Sequence, residues 1–106
     1  MAGKIKAIIK RPDEKYGHMT TISPTLENLQ KHVEGPIQAV PFGGFTILCN
    51  EEGKLRGLPK NCHIGCFPYW TMFVGTIIVV GTDGEDFTDA PIDFKTWKSL
   101  LKTWGN

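Results

Sequence analysis

The residues best suited to chemistry are a basic and amide set, Arg11, Asn50, Lys54, Arg56, Lys60 and Asn61, followed by the aromatics Phe67, Tyr69 and Trp70. Guanidinium forks match the oxygens of a phosphate, and an exposed ring offers a stacking surface to a base. Together they suit a small anionic ligand, provided that the fold brings them to one place. Most of the set lies in or just after Leu48-Cys49-Asn50-Glu51-Glu52-Gly53-Lys54-Leu55-Arg56-Gly57-Leu58-Pro59-Lys60-Asn61.

Other constellations say less. Cys62-His63-Ile64-Gly65-Cys66 with Cys49 upstream contains four metal-ligand types, but structural zinc sites pair their ligands twice at short spacing and this chain does so once. No metal is expected. A cysteine nucleophile needs a positioned base, and His18, His32 and His63 offer only chance pairings, so no catalytic residue is assigned. Glu51-Glu52 and Asp83-Gly84-Glu85-Asp86 read as solvated acidic turns. Gly43-Gly44 lacks the sequel of a phosphate-binding loop, and no cofactor motif is present.

The elements that must position these residues follow from pattern. Lys4 to Lys10 reads as a strand with a buried middle, and the turn residues from Arg11 to Gly17 return the chain into His18–Ile22 as a hairpin. Ser23-Pro24 opens a helix with Leu26, Leu29 and Val33 on one face, stopped by Gly35-Pro36. Ile37–Phe42 and Phe45–Cys49 form a second hairpin around Gly43-Gly44, with Pro41 placing the first strand at a sheet edge. Asn50 to Gly53 is expected to turn with Gly53 left-handed, and Lys54-Leu55-Arg56 to continue as a short strand. Met72 to Val80 is apolar on both faces and reads as the central strand, closed by a turn over Gly81 to Gly84. A last helix starts at Pro91-Ile92 and carries the stripe Phe94, Trp97, Leu101 and Trp104.

The expected fold is α+β: a single, mostly antiparallel β-sheet with two helices, in the order ββα-βββ(short)-β-α, forming one globular domain over residues 1–106. A central strand that wants cover on both faces, together with Trp104 near the terminus, points to a homo-oligomer.

Totals narrow the function classes. With 12 Lys plus Arg against 11 Asp plus Glu, the formal charge is +1, too little for a protein that lives on phosphate-backbone contacts. No long nucleic acid is expected. The N-terminal residues do not form an export signal, no apolar run is long enough to span a bilayer, and three cysteines suit reduced thiols in a cytoplasm.

Three stretches carry a family resemblance: Lys6-Ala7-Ile8-Ile9-Lys10-Arg11-Pro12; Cys49-Asn50-Glu51-Glu52-Gly53-Lys54 with Gly57-Leu58-Pro59-Lys60-Asn61; and Val74-Gly75-Thr76 with Val79-Val80-Gly81. From Lys4 to about Phe87 the chain resembles a family of short proteins of bacteriophages and Firmicutes mobile elements, a domain of unknown function. The resemblance implies an accessory protein of the bacterial host cytoplasm and brings no catalytic residue, substrate or cofactor.

The expectation is therefore a non-enzymatic counter-defence protein that sequesters a small nucleotide signal. Arg11, Lys54, Arg56 and Lys60 would meet its phosphates and Tyr69 or Trp70 would stack on its base, with Asn50 and Asn61 also among the ligand-binding residues. The alternative is a protein–protein interaction module that inhibits a host defence or phage protein through the aromatic segment and the last helix.

Overall fold

The computed structural model describes residues 3–66 and 69–103. Among them run β1 (Ile5–Lys10), β2 (His18–Ile22), α1 (Leu26–Val33), β3 (Ile37–Pro41), β4 (Thr46–Asn50), β5 (Lys60–Cys66), β6 (Tyr69–Val74), β7 (Ile77–Asp83), β8 (Asp86–Thr88), α2 (Phe94–Leu100) and β9 (Leu101–Thr103). The α+β class and the antiparallel pairing hold, with the strands divided between two sheets. The larger has the order β2-β1-β7-β4-β3 with β8 beside β7; the smaller has the order β6-β5-β9.

Both expected hairpins form, β1 with β2 and β3 with β4. Pro41 does end an edge strand, and β7 is central. Its alternation explains the need for two covers. Ile78 and Val80 face a core with Leu29 and Val33 of α1, Leu48 of β4 and Ile5, Ala7 and Ile9 of β1. Ile77 and Val79 face the other way, onto Cys62, Ile64 and Phe73 of the second sheet and Trp97 of α2. The smaller sheet thus supplies within the chain the cover that suggested a subunit interface. The fully buried Trp97 donates from Nε1 to the Tyr16 carbonyl at 2.8 Å, which ties α2 to the β1–β2 turn.

Four local expectations are corrected. Helix α1 is capped by Thr25, whose side chain accepts from the Asn28 N–H, rather than by Ser23; such a cap is worth about 1 kcal/mol. Its left-handed terminator is Glu34 at φ 64°, one residue before the expected glycine. Residues 51–57 wind as consecutive turns instead of forming a strand, and Gly57, not Gly53, takes positive φ. Gly53 is required for space, since a Cβ there would lie 2.9 Å from Val74 Cγ2.

The Met72–Val80 run is also two strands rather than one. It breaks at Gly75, with φ 71°, and the two halves join different sheets. The turn expected over Gly81 to Gly84 falls later, at Gly84-Glu85, because Gly81 to Asp83 pair with β8. Leu101 opens β9 instead of extending α2, and Trp104 lies outside the described residues. No helix among the described residues is long and apolar enough to cross a membrane.

Candidate functional site: a cleft beside a buried lysine

Strand β1 has apolar residues of both parities, so both of its faces are covered. Lys10 follows Ile8 on the face turned to the second sheet, and at 1% exposure it is as buried as the isoleucine. A buried ammonium is costly unless its protons find acceptors. The acceptor comes from β5. A register shift between Lys60 and Cys62 marks a β-bulge at Asn61, which lets two successive residues, Asn61 and Cys62, both turn inward.

Asn61 Oδ1 receives the Lys10 ammonium at 2.6 Å, and the Arg11 carbonyl lies 3.4 Å from the same nitrogen. The Asn61 amide donates to the Lys10 carbonyl at 2.9 Å and to the Gly75 carbonyl at 2.7 Å. One asparagine therefore joins the end of β1, the start of β5 and the β6–β7 turn. Burial pulls Lys10 below its ordinary range, against the opposing pull of Cys62, Glu14 and Asp13. Burial likewise pushes the Cys62 thiol up to about 11, with Lys10 acting in the other direction. Cys62 is thus an inert thiol at neutral pH.

A cleft of about 510 Å3 opens where these three ends meet, with Arg11 and Lys60 on its wall. Pro12, Asp13, Leu58, Pro59, Gly75, Thr76 and the helix terminator Glu34 complete it. The loop walls are fastened to one another: the Gly75 N–H donates to the Pro59 carbonyl at 2.7 Å. Glu14 anchors the third wall, accepting the Arg11 N–H at 2.9 Å and facing His18 Nδ1 at 2.9 Å. Burial works to raise the Glu14 carboxyl, but the Arg11 N–H and the His18 ring outweigh it and hold it below its ordinary range.

A second asparagine clamp stands behind Glu34. Asn50 is buried; its amide donates to the Val33 and Glu34 carbonyls at 3.0 and 3.1 Å, and its oxygen accepts the Glu52 N–H at 2.7 Å. Arg56 Nη1 donates to the same Glu34 carbonyl at 2.6 Å. The clamp closes the end of α1 onto the loop after β4, holding in place a left-handed residue that is not glycine.

The residues singled out from sequence therefore separate into groups. Arg11 and Lys60 share the cleft, and Arg56 stands beside it through Glu34. Asn50 and Asn61 are buried and engaged with backbone. Lys54 belongs to a different groove of about 300 Å3, with Cys49, Thr71 and Phe73. Trp70 is 37% exposed on β6 and lines neither space. Tyr69 is placed by its backbone at the start of β6, and Phe67 lies outside the described residues. No group of three or more potential metal ligands gathers among the described residues.

Lys10 is the residue that sequence reasoning missed. The available signal was the apolar run Ala7-Ile8-Ile9, which buries both strand faces and so buries the next residue on either parity.

Fold and site define an α+β protein of two antiparallel sheets with a cleft where the ends of β1, β5 and the β6–β7 turn meet. The chain belongs to the family described as a domain of unknown function (DUF3846), whose model matches residues 5–102. No curated protein matches the chain. No solved structure matches it either.

Proposed function

We propose that the chain is a non-enzymatic binding protein whose cleft takes a small phosphate-bearing ligand of the nucleotide class. The observation that supports this is the meeting on one cleft of Arg11, from the loop after β1, and Lys60, from the start of β5, beside the hydrogen-bonded Lys10–Asn61 pair. Charge-assisted hydrogen bonds from such donors are about twice as strong as neutral ones. The acidic wall residues Asp13 and Glu34 suit the donor groups of a ribose or a base, and disfavour a bare polyanion. Removal of a nucleotide signal from a bacterial host's cytoplasm, as a phage or mobile-element accessory would do, is the biological form of this reading; its support is the resemblance of the sequence.

A second reading has its own observation. Leu55 is 92% exposed and belongs to the groove of Lys54, between the edge strands β3 and β6. Leu55 shares that groove with Val40, Met72 and Phe73, and an exposed apolar patch of this kind suits a protein partner.

Thermal shift against a nucleotide panel separates the two. A ligand at a hundredfold excess over its Kd adds about 2.7 kcal/mol of stability. Saturable stabilisation lost in Lys60→Ala, with the ligand recovered intact, is the expected result. No shift across the panel would move the assignment to a protein partner, sought with Leu55→Ser as the control surface variant.

A further inference from the structure

Arg11 also forms part of a second groove, of about 380 Å3, between β2 and α1. Apart from Arg11 it shares no wall residue with the cleft described above. Its walls carry Lys4, Arg11, His18 and His32, together with the hydroxyl-bearing Thr20 and Ser23. Unlike the neighbouring cleft, none of its wall residues is acidic. Glu14 stands against it, occupied by the Arg11 N–H and by His18 Nδ1, and Lys4 borders on its other side a pocket that holds Glu85, Asp86 and Asp89.

The standing charge of Arg11 on this small space opposes a further positive charge on His32. Burial, then Arg11 and then Lys31, holds His32 below its ordinary range. An anion seated among these groups would reverse that balance, because it attracts the charged imidazole that the empty groove disfavours. Thr21 and Asn28 and the buried, apolar Ile9 and Ile22 complete the walls, so part of the setting is dry and strengthens the attraction.

We infer that this groove is a phosphate-group site, in which Lys4 and Arg11 supply standing positive charge, Thr20 and Ser23 offer hydroxyl donors, and His32 joins as an imidazolium. Lys31, beside His32 on α1, adds to the field, and Glu14 fixes the ring of His18 from the β1–β2 turn. Binding is therefore coupled to proton uptake and strengthens as pH falls through the histidine range. The inference does not depend on what the Arg11–Lys60 cleft binds.

The test is a titration of histidine ring signals by NMR. Inorganic phosphate is the first probe, at ionic strength matched with chloride; sulfate, whose charge is constant over this range, is the probe for pH dependence. The expected result is a saturable shift of the His32 signals, a raised His32 titration midpoint in sulfate, and sulfate binding about tenfold tighter near pH 6 than near pH 8. His32→Gln should flatten that pH dependence, while Lys60→Ala, confined to the other cleft, should leave it intact. Lys4→Ala, an exposed change that spares the fold, should weaken binding at every pH. Ring signals that respond equally to matched chloride would overturn the site. So would a response abolished by Lys60→Ala but retained in both Lys4→Ala and His32→Gln, which would assign the anion to the Arg11–Lys60 cleft alone.

Discussion

Lys10 and Asn61 hold each other reciprocally: the lysine ammonium donates to Asn61 Oδ1 at 2.6 Å, and the Asn61 amide donates back to the Lys10 carbonyl at 2.9 Å. Because Asn61 also serves the Gly75 carbonyl, its removal takes a partner from three groups at once and leaves the Lys10 ammonium with the Arg11 carbonyl at 3.4 Å. Asn61→Ala should cost about 3 kcal/mol or more, read as a lower urea midpoint. Lys10→Met removes the charge together with its need for a partner and should cost less. If Lys10→Met proved the more damaging of the two, the ammonium would be a net stabiliser rather than a burden that Asn61 relieves.

Lys10 and its neighbour Cys62 predict opposing alkaline behaviour. Cys62 titrates near 11 in the fold against an ordinary 9.0, so the native state keeps its proton longer and stability falls as pH rises between those values. The whole effect is about 3 kcal/mol. Lys10 titrates below its ordinary 10.5, so the unfolded chain binds more protons in that window and stability rises with pH up to 10.5. Denaturant melts over alkaline pH should show Cys62→Ala losing the fall and Lys10→Met losing the rise. Identical pH profiles for the wild type and both variants would contradict the assigned shifts.

Glu34 occupies left-handed backbone at φ 64° and ψ 37°, where glycine carries no Cβ penalty. Glu34→Gly should stabilise the protein by about 1 kcal/mol. Because Glu34 is also an acidic wall residue of the Arg11–Lys60 cleft, the same variant should bind phosphate there roughly twofold more tightly, about 0.5 kcal/mol. Calorimetric titration beside a thermal melt reads both. Greater stability without any gain in affinity would place the Glu34 carboxylate outside the cleft's electrostatics.

Asn50 and Arg56 converge on the Glu34 carbonyl from different environments, one buried and one exposed. Asn50→Ala leaves the Val33 carbonyl without its side-chain donor and should cost about 2 kcal/mol. Arg56→Ala hands its acceptor to water and the Asn50 amide, and should cost under about 1 kcal/mol. Equal losses in chemical denaturation would mean that Arg56 is a full member of the clamp.

Legibility followed the range of the interactions. Both hairpins, the central place of β7, the edge placement forced by Pro41 and the buried Leu29 and Val33 of α1 depend on turn chemistry and short-period alternation, which neighbouring residues encode. Leu26, expected on the same stripe, is exposed. The assignment of Glu34 rather than Gly35 to the left-handed position was not readable, because Asn50 and Arg56 stabilise that carbonyl from the next hairpin. The division of Met72–Val80 was marked only by a glycine inside an apolar run.

The candidate site divides the same way. Residue type alone named Arg11 and Lys60 as phosphate partners and Asn61 as a polar group of interest. Only the tertiary structure placed the first two on one cleft, sent Lys54 to another, and turned Asn61 inward onto Lys10. The amino-acid sequence determined the strands, their alternation and the class of fold, because those are fixed within a few residues. The stacking of the second sheet on β1 and β7 decided which lysine is buried, because burial depends on what a distant segment lays over a face.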